Sequence, residues 1–173
     1  MAGIIFNLSD VLTDQIECYE GLYTLSTYKK TAIVNKDLDL LKEVTAREEE
    51  FLGRINILNQ QRESILKDIA LVSALDYKTI TITTLVKKIG ESKDISIKLL
   101  AQRDELHQVL DKVKAQNNQN KQLLAQSMEF VEYNLNAITS TQFEGMTPNY
   151  SKPKGFGNSY GGDDSISLFD FKQ

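Results

Sequence analysis

Apolar side chains recur at intervals of three and four residues over most of the chain, which is the spacing of one face of an α-helix. The first such stretch predicts a helix with Ser9 or Asp10 as its N-cap and an end near Val34. Residues 35–36 then form a short turn, and Asp37 is a suitable N-cap for a second helix. The predicted apolar face of the first helix consists of Leu8, Leu12, Ile16, Tyr19, Tyr23 and Ile33.

The second helix carries a heptad repeat that favours packing against other helices. Its seam positions are Leu41, Val44, Glu48, Phe51, Ile55, Leu58, Arg62, Ile65, Ile69 and Val72. Only Glu48 and Arg62 are polar in this seam, and we predict that they pair with groups on neighbouring helices and so fix the register. Because the link between the first two helices is so short, they should lie antiparallel.

The segment 77–84 alternates threonine and isoleucine as a β-strand would, but a lone strand has no partner here. We therefore predict an extended linker. A short helix follows it, with Thr83 or Thr84 as N-cap and Gly90 at its end.

A last long helix is predicted from about residue 94 to residue 140, beside the first helix and starting from the same end. Its apolar positions are Leu99, Leu106, Leu110, Val113, Leu124, Val131, Leu135 and Ile138, and none falls between residues 115 and 122. At the rise of an α-helix, about ten of its residues would extend past the turn at 35–36. Two interpretations stay open for them: the helix bends and buries them, or they form an exposed apolar strip for a partner helix.

Proline and glycine are concentrated near the C-terminal end, where the first proline is Pro148. Since proline interrupts helices, the predicted domains are a helical bundle of residues 1–140 and an irregular, disordered tail of residues 141–173. The tail is rich in aromatic residues, so it either folds back on the bundle or orders on a partner, and we favour the second. The predicted fold is all-α: an elongated antiparallel helical hairpin plus a third long helix, as a three-helix bundle or coiled coil, with a flexible tail.

Charge and composition narrow the function classes. A net charge of -4 argues against a nucleic-acid partner, which calls for a basic surface. With Cys18 the only cysteine and His107 the only histidine, neither a disulfide framework nor a Cys/His metal site is expected. We therefore predict no cofactor and no enzymatic activity. The first ten residues do not form a secretory signal, and no apolar run is long enough to insert stably into a membrane.

A series of short motifs follows in order along the chain. They are the turn at 34–37, the acidic stretch 45–51, the Leu/Arg pattern in 58–66, the helical stretches 120–124 and 127–131, and the tail stretches 149–155 and 168–172. In this order they resemble the flagellar export chaperones of the FlgN type, over nearly the whole chain. The segment 77–84 departs from that pattern because it is more β-like.

The resemblance implies a cytoplasmic export chaperone. Such a protein binds the C-terminal helical segments of the hook–filament junction proteins FlgK and FlgL and delivers them to the flagellar type III export apparatus. By position, client binding falls on the last helix and the tail. The candidate client contacts are Met128, Phe130, Val131, Leu135, Ile138, Leu168, Phe169 and Phe171. Tyr150 corresponds to a tail tyrosine that contacts the export gate.

Two alternatives share the same sequence features. One is a structural coiled-coil adaptor unrelated to secretion, which would form a stable homo-oligomer with its seams consumed internally. The other is an export chaperone for a different flagellar client, such as flagellin or the filament cap protein. For the chaperone we expect a monomer or a weak homodimer.

Overall fold

The computed structural model describes residues 2–91 and 93–143, and in that part of the chain every regular element is a helix. There are four of them: α1 (Ala2–Asn35), α2 (Leu38–Ser73), α3 (Ile82–Ile89) and α4 (Asp94–Phe143). The predicted all-α fold is therefore confirmed.

The chain divides into two units, Met1–Phe130 and Val131–Gln173. The first unit contains α1, α2, α3 and the larger part of α4. In the second unit only the helical residues 131–143 are described. The predicted boundary between a domain of residues 1–140 and a tail of residues 141–173 stays a prediction, since most of that tail lies outside the described residues.

The start of α1 differs from the prediction. The helix begins at Ala2, so Ser9 and Asp10 lie within it and neither is its N-cap. Ser9 is fully buried, and its Oγ donates a hydrogen bond to Gln102 Oε1 at 3.0 Å. A serine followed by an aspartate resembles a cap in sequence, but here the serine hydroxyl is used for packing against another helix.

The turn between α1 and α2 is closed by a pair of backbone hydrogen bonds. Lys36 N donates to Ile33 O at 3.2 Å, and Asp37 N donates to Ala32 O at 2.9 Å, which is the Schellman arrangement at a helix end. Lys36 accordingly has a φ of 56°, in the left-handed region. The Asp37 side chain accepts a hydrogen bond from Leu40 N at 3.0 Å, which confirms it as the N-cap of α2.

Helices α1 and α2 lie antiparallel, as predicted. Lys29 Nζ is 2.7 Å from Glu48 Oε2, and Gln15 Nε2 donates to Asn59 Oδ1 at 2.7 Å, so residue numbers rise on one helix as they fall on the other. The contact to Lys29 also confirms that the seam residue Glu48 pairs with a neighbouring helix.

Helix α4 runs parallel to α1 within the first unit. Gln102 Nε2 donates to Ser9 O at 2.9 Å and to Thr13 Oγ1 at 2.8 Å, while Asn120 Nδ2 donates to Ser26 O at 2.7 Å. Residue numbers therefore rise together on the two helices. This confirms the predicted start of α4 at the same end as α1.

The linker after α2 is only partly extended. Residues 77–79 form a turn in which Thr79 N donates to Asp76 O at 3.1 Å, so the prediction of an extended segment is wrong there. The N-cap of α3 is Thr81, slightly earlier than predicted, and it forms a reciprocal capping box with Thr84. Gly90 ends the helix as expected, with a φ of 108°.

All four helices contribute to the core of the first unit. Its buried apolar side chains include Leu8, Leu12, Ile16, Tyr19, Val44, Ile55, Leu58, Ile69, Leu85, Val86, Leu99, Leu106 and Val113. Two apolar positions predicted to face neighbouring helices in the first unit are instead exposed, Val72 on α2 and Leu124 on α4. A heptad drifts relative to the 3.6-residue turn of a straight helix, and by residue 120 the inward position of α4 has passed to a buried asparagine.

Candidate functional site

An open groove lies between the C-terminal end of α1 and α4 in the first unit. It has a volume of about 230 Å³ and is lined by Ile33, Val34, Lys36, Leu123, Gln126, Ser127 and Phe130. Most of this lining is apolar, and Lys36 is its one charged member. Lys36 belongs to the Schellman turn that ends α1, so the end of this helix lies at the groove.

Lys36 and Phe130 meet across this groove. The Lys36 Nζ lies 4.4 Å from the centre of the Phe130 ring, a cation–π distance. The ring is nevertheless 52% exposed, and Val34 on α1 is 59% exposed. Large apolar side chains that remain this accessible mark a surface on which a partner can bury area.

The first unit also contains Met128, the earliest of the predicted client contacts on α4. Its side chain is exposed, as is that of Leu124 one turn before it. Both therefore contribute apolar area to the surface of α4 near the groove. Leu123, the neighbour of Leu124, is only half-buried and lines the groove itself.

In the second unit the described helical residues also carry exposed apolar side chains. Val131, Leu135 and Ile138 are each exposed, and their intervals of four and three residues put them on one face of the helix. Tyr133 is exposed as well. These three positions are the remaining client contacts predicted on α4, and their contact with a client stays a prediction.

The other predicted site residues lie outside the described part of the chain. They are the candidate client contacts Leu168, Phe169 and Phe171 and the candidate export-gate contact Tyr150.

A family comparison identifies the chain. The model of the FlgN protein family matches residues 1–155, which is most of the sequence. The chain belongs to the FlgN family. This is a family of flagellar export chaperones and not of enzymes. No curated protein and no solved structure matched the chain.

Burial shifts the pKa of three ionisable side chains on α1 and α2 of this FlgN family chain. Tyr19 is buried between α1 and α2; burial raises its pKa to about 12, although nearby Arg62 and a hydrogen bond with Asn59 favour the ionised form. Burial likewise lowers the pKa of Arg62, which the neighbouring Tyr19 and Glu63 partly offset. Burial also raises the pKa of the Cys18 thiol, which makes it a poor nucleophile.

Within residues 2–91 and 93–143, no group of three or more His, Cys, Asp or Glu residues is placed to hold a metal ion. His107 is exposed on α4. Among the helices described above, none is both long enough and apolar enough to cross a bilayer.

Sequence reasoning missed the contribution of α1 to the apolar surface of this FlgN family chain. The sequence predicts only a helix end at Val34 and a turn at Lys36, yet both residues line the groove with Phe130. One signal was present in the sequence. A lysine follows the last turn of a helix, where glycine or asparagine is the usual residue.

Proposed function

We propose that this FlgN family chain is a cytoplasmic chaperone that binds the C-terminal helical segments of the hook–filament junction proteins FlgK and FlgL. It keeps them from associating prematurely and delivers them to the flagellar type III export apparatus. The observation that carries the proposal is the family match over residues 1–155. Exposed apolar side chains on α4, in both units, support it.

Binding of this kind needs no chemical step. An amphipathic client helix tends to self-associate through its apolar face, and an apolar surface on the chaperone replaces that contact. On α4 the proposed contacts are Met128, Phe130, Val131, Leu135 and Ile138. Release at the export apparatus requires moderate affinity, on the order of micromolar to nanomolar.

The tail extends the proposal. Leu168, Phe169 and Phe171 are further candidate client contacts, and Tyr150 is the candidate contact with the export gate. The chaperone would act as a monomer or a weak homodimer, because a surface consumed by stable self-association would not be available to a client.

The direct test is calorimetric titration of the full chain with the C-terminal segment of FlgK or of FlgL. Saturable binding is expected. The double variant Val131→Asp with Leu135→Asp should weaken it at least about tenfold, because each charge must be desolvated on contact with an apolar client face. Circular dichroism should show unchanged helicity, since both side chains are exposed in the second unit.

A matched control is the double variant Ile57→Asp with Leu71→Asp. Both residues are exposed apolar positions on α2, and client affinity should stay unchanged. If the wild-type chain bound neither segment but bound another flagellar protein, this result would contradict the proposed client. An obligate higher oligomer in light scattering would favour a coiled-coil adaptor.

A further inference from the structure

The groove between α1 and α4 has a composition that fits one kind of ligand. We propose that it holds one large apolar side chain of a partner helix, and that Lys36 pairs with a carboxylate about one turn away on that helix. The inference rests on the proposed function, since the partner is an amphipathic client helix. It adds a specificity element on α1, the helix that the proposed client contacts do not include.

The size of the groove fits the proposed apolar side chain of the partner helix. A cavity of about 150 Å³ lined by apolar groups is enough to hold a benzene molecule. The groove measures about 230 Å³ and is open to solvent, so a leucine or phenylalanine side chain can enter it from outside. Ile33, Leu123 and Phe130 supply apolar walls for such a side chain.

The charge of the groove favours a carboxylate on the partner helix. Lys36 is the one charged residue in its lining, and the polar members Gln126 and Ser127 are neutral. Because Lys36 Nζ already lies over the Phe130 ring, a carboxylate that meets it there is adjacent to the apolar walls. A partner that is apolar at one position and acidic a turn away is complementary to this surface, and a basic partner is repelled.

The backbone at Lys36 points the same way. Its φ of 56° is in the left-handed region, where glycine is favoured over residues with a Cβ. A lysine at this position exposes its side chain at the mouth of the groove at a conformational cost that glycine would avoid. Strain of this kind is a reason to seek a role for the side chain.

The test measures binding of a fluorescently labelled C-terminal segment of FlgK to the full-length chain by anisotropy. Val34→Gln should weaken binding about tenfold by removing apolar area from the groove. Lys36→Glu should weaken it about tenfold as well, and this loss should shrink at high salt. A second probe has its aspartates and glutamates changed to asparagines and glutamines. The wild type should bind this probe more weakly than the first. The wild type and Lys36→Gln should bind it with the same affinity, because the probe has no carboxylate left for Lys36.

Three control variants separate the groove from general surface effects. Leu71→Gln and Lys98→Glu change an exposed leucine and an exposed lysine at the opposite end of the first unit, and neither should alter affinity. Ala74→Gly relieves the other left-handed residue that is not glycine among those described, with φ 51°, and it should leave binding unchanged. Circular dichroism of every variant should match the wild type.

The outcomes distinguish the two proposals. If the wild-type chain binds the FlgK segment but Val34→Gln and Lys36→Glu bind it equally well, the groove inference is overturned and the chaperone function stands. Absence of wild-type binding to the FlgK and FlgL segments contradicts the proposed function and, with it, the groove inference. A groove variant that changes the sedimentation of the protein alone, and not probe affinity, would assign the groove to a second copy of this chain and overturn the inference.

Discussion

Helix α1 packs antiparallel to α2 and parallel to α4, and different features set the register of the two interfaces. With α2 the turn at residues 35–37 fixes the alignment covalently, and the ion pair of Lys29 with Glu48 follows from it. With α4 the chain first passes through α2 and α3. The alignment then depends on buried amide side chains, since Gln102 and Asn120 reach backbone carbonyls of α1.

The difference shows how a parallel helix pair is specified. Apolar side chains alone tolerate a slip by one turn, because one leucine can replace another in a core. A buried amide does not tolerate a slip, since an unmade hydrogen bond in a dry interface costs about 1 to 3 kcal/mol. Four predictions follow for the two interfaces, in order of decreasing effect.

The largest effect is expected from truncating the core contact of α4. Leu99 is fully buried, so Leu99→Ala should lower the free energy of unfolding by about 2 to 5 kcal/mol through lost burial and a residual cavity. Ile97→Ala is the control, because Ile97 is exposed on the same turn of the helix and should cost far less. Denaturant unfolding measures both. Equal losses would contradict the burial of Leu99 in the core.

The second largest effect is a pH dependence of the unfolding free energy, which arises from Tyr19 in the α1–α2 interface. The pKa of Tyr19 is raised from 10 to about 12. Between these two pH values the Tyr19 hydroxyl therefore keeps its proton in the folded chain and has lost it in the unfolded chain. The stabilisation is complete below pH 10 and is lost as the pH rises toward 12, by about 2 to 3 kcal/mol in total. Unfolding free energies measured across this range should fall, and Tyr19→Phe should flatten the decline. A decline of equal steepness in the variant would assign it to other groups.

A third prediction concerns the buried amide in the α1–α4 interface. Asn120→Ala leaves the Ser26 carbonyl without its side-chain donor and should cost about 1 to 3 kcal/mol. Asn118→Ala is the matched control, since Asn118 is exposed on the same helix and the same gain in helix propensity applies. Thermal unfolding of the two variants gives the difference. If Asn120→Ala were as stable as Asn118→Ala, the parallel register would not depend on this contact.

The smallest effect distinguishes two helical glycines. A Cβ on Gly21 would lie 2.6 Å from Phe51 Cζ across the α1–α2 interface, whereas a Cβ on Gly53 meets nothing within 4 Å. Gly53→Ala should therefore stabilise the chain by up to about 1 kcal/mol through helix propensity. In Gly21→Ala the same gain is offset by overpacking against Phe51, so it should be at least about 1 kcal/mol less stable than Gly53→Ala. Chemical denaturation of the pair checks this, and identical stabilities would contradict the close approach.

Local features of the chain were predictable, and contacts between distant segments were less so. The cap at Asp37, the end of α3 at Gly90 and the antiparallel hairpin depend on a few neighbouring residues, and the sequence predicted all of them. The start of α1 was misplaced because Ser9 has the local appearance of a cap, while its partner Gln102 is far away in the chain. The inward orientation of Asn120 was not predictable either, because its partner Ser26 is equally far away in the chain and the surrounding stretch of α4 has no apolar residues.

For the candidate site, the sequence drew attention to apolar residues on α4 past the predicted hairpin turn and suggested the family, but it left open whether those residues are buried or exposed; the structure shows them exposed. The sequence did not identify the α1 side of the groove. Val34 and Lys36 have no unusual spacing, and their role depends on the approach of Phe130 from a helix that begins about sixty residues later.

The sequence by itself determined the helices, their order, the turn between α1 and α2 and the membership in the FlgN family, because each depends on short-range patterns or on the order of motifs. Tertiary structure alone decided which polar residues face inward and which apolar residues stay exposed beside Lys36. Burial is a property of two surfaces in contact. The residues of one helix cannot specify it until the neighbouring helix is in place.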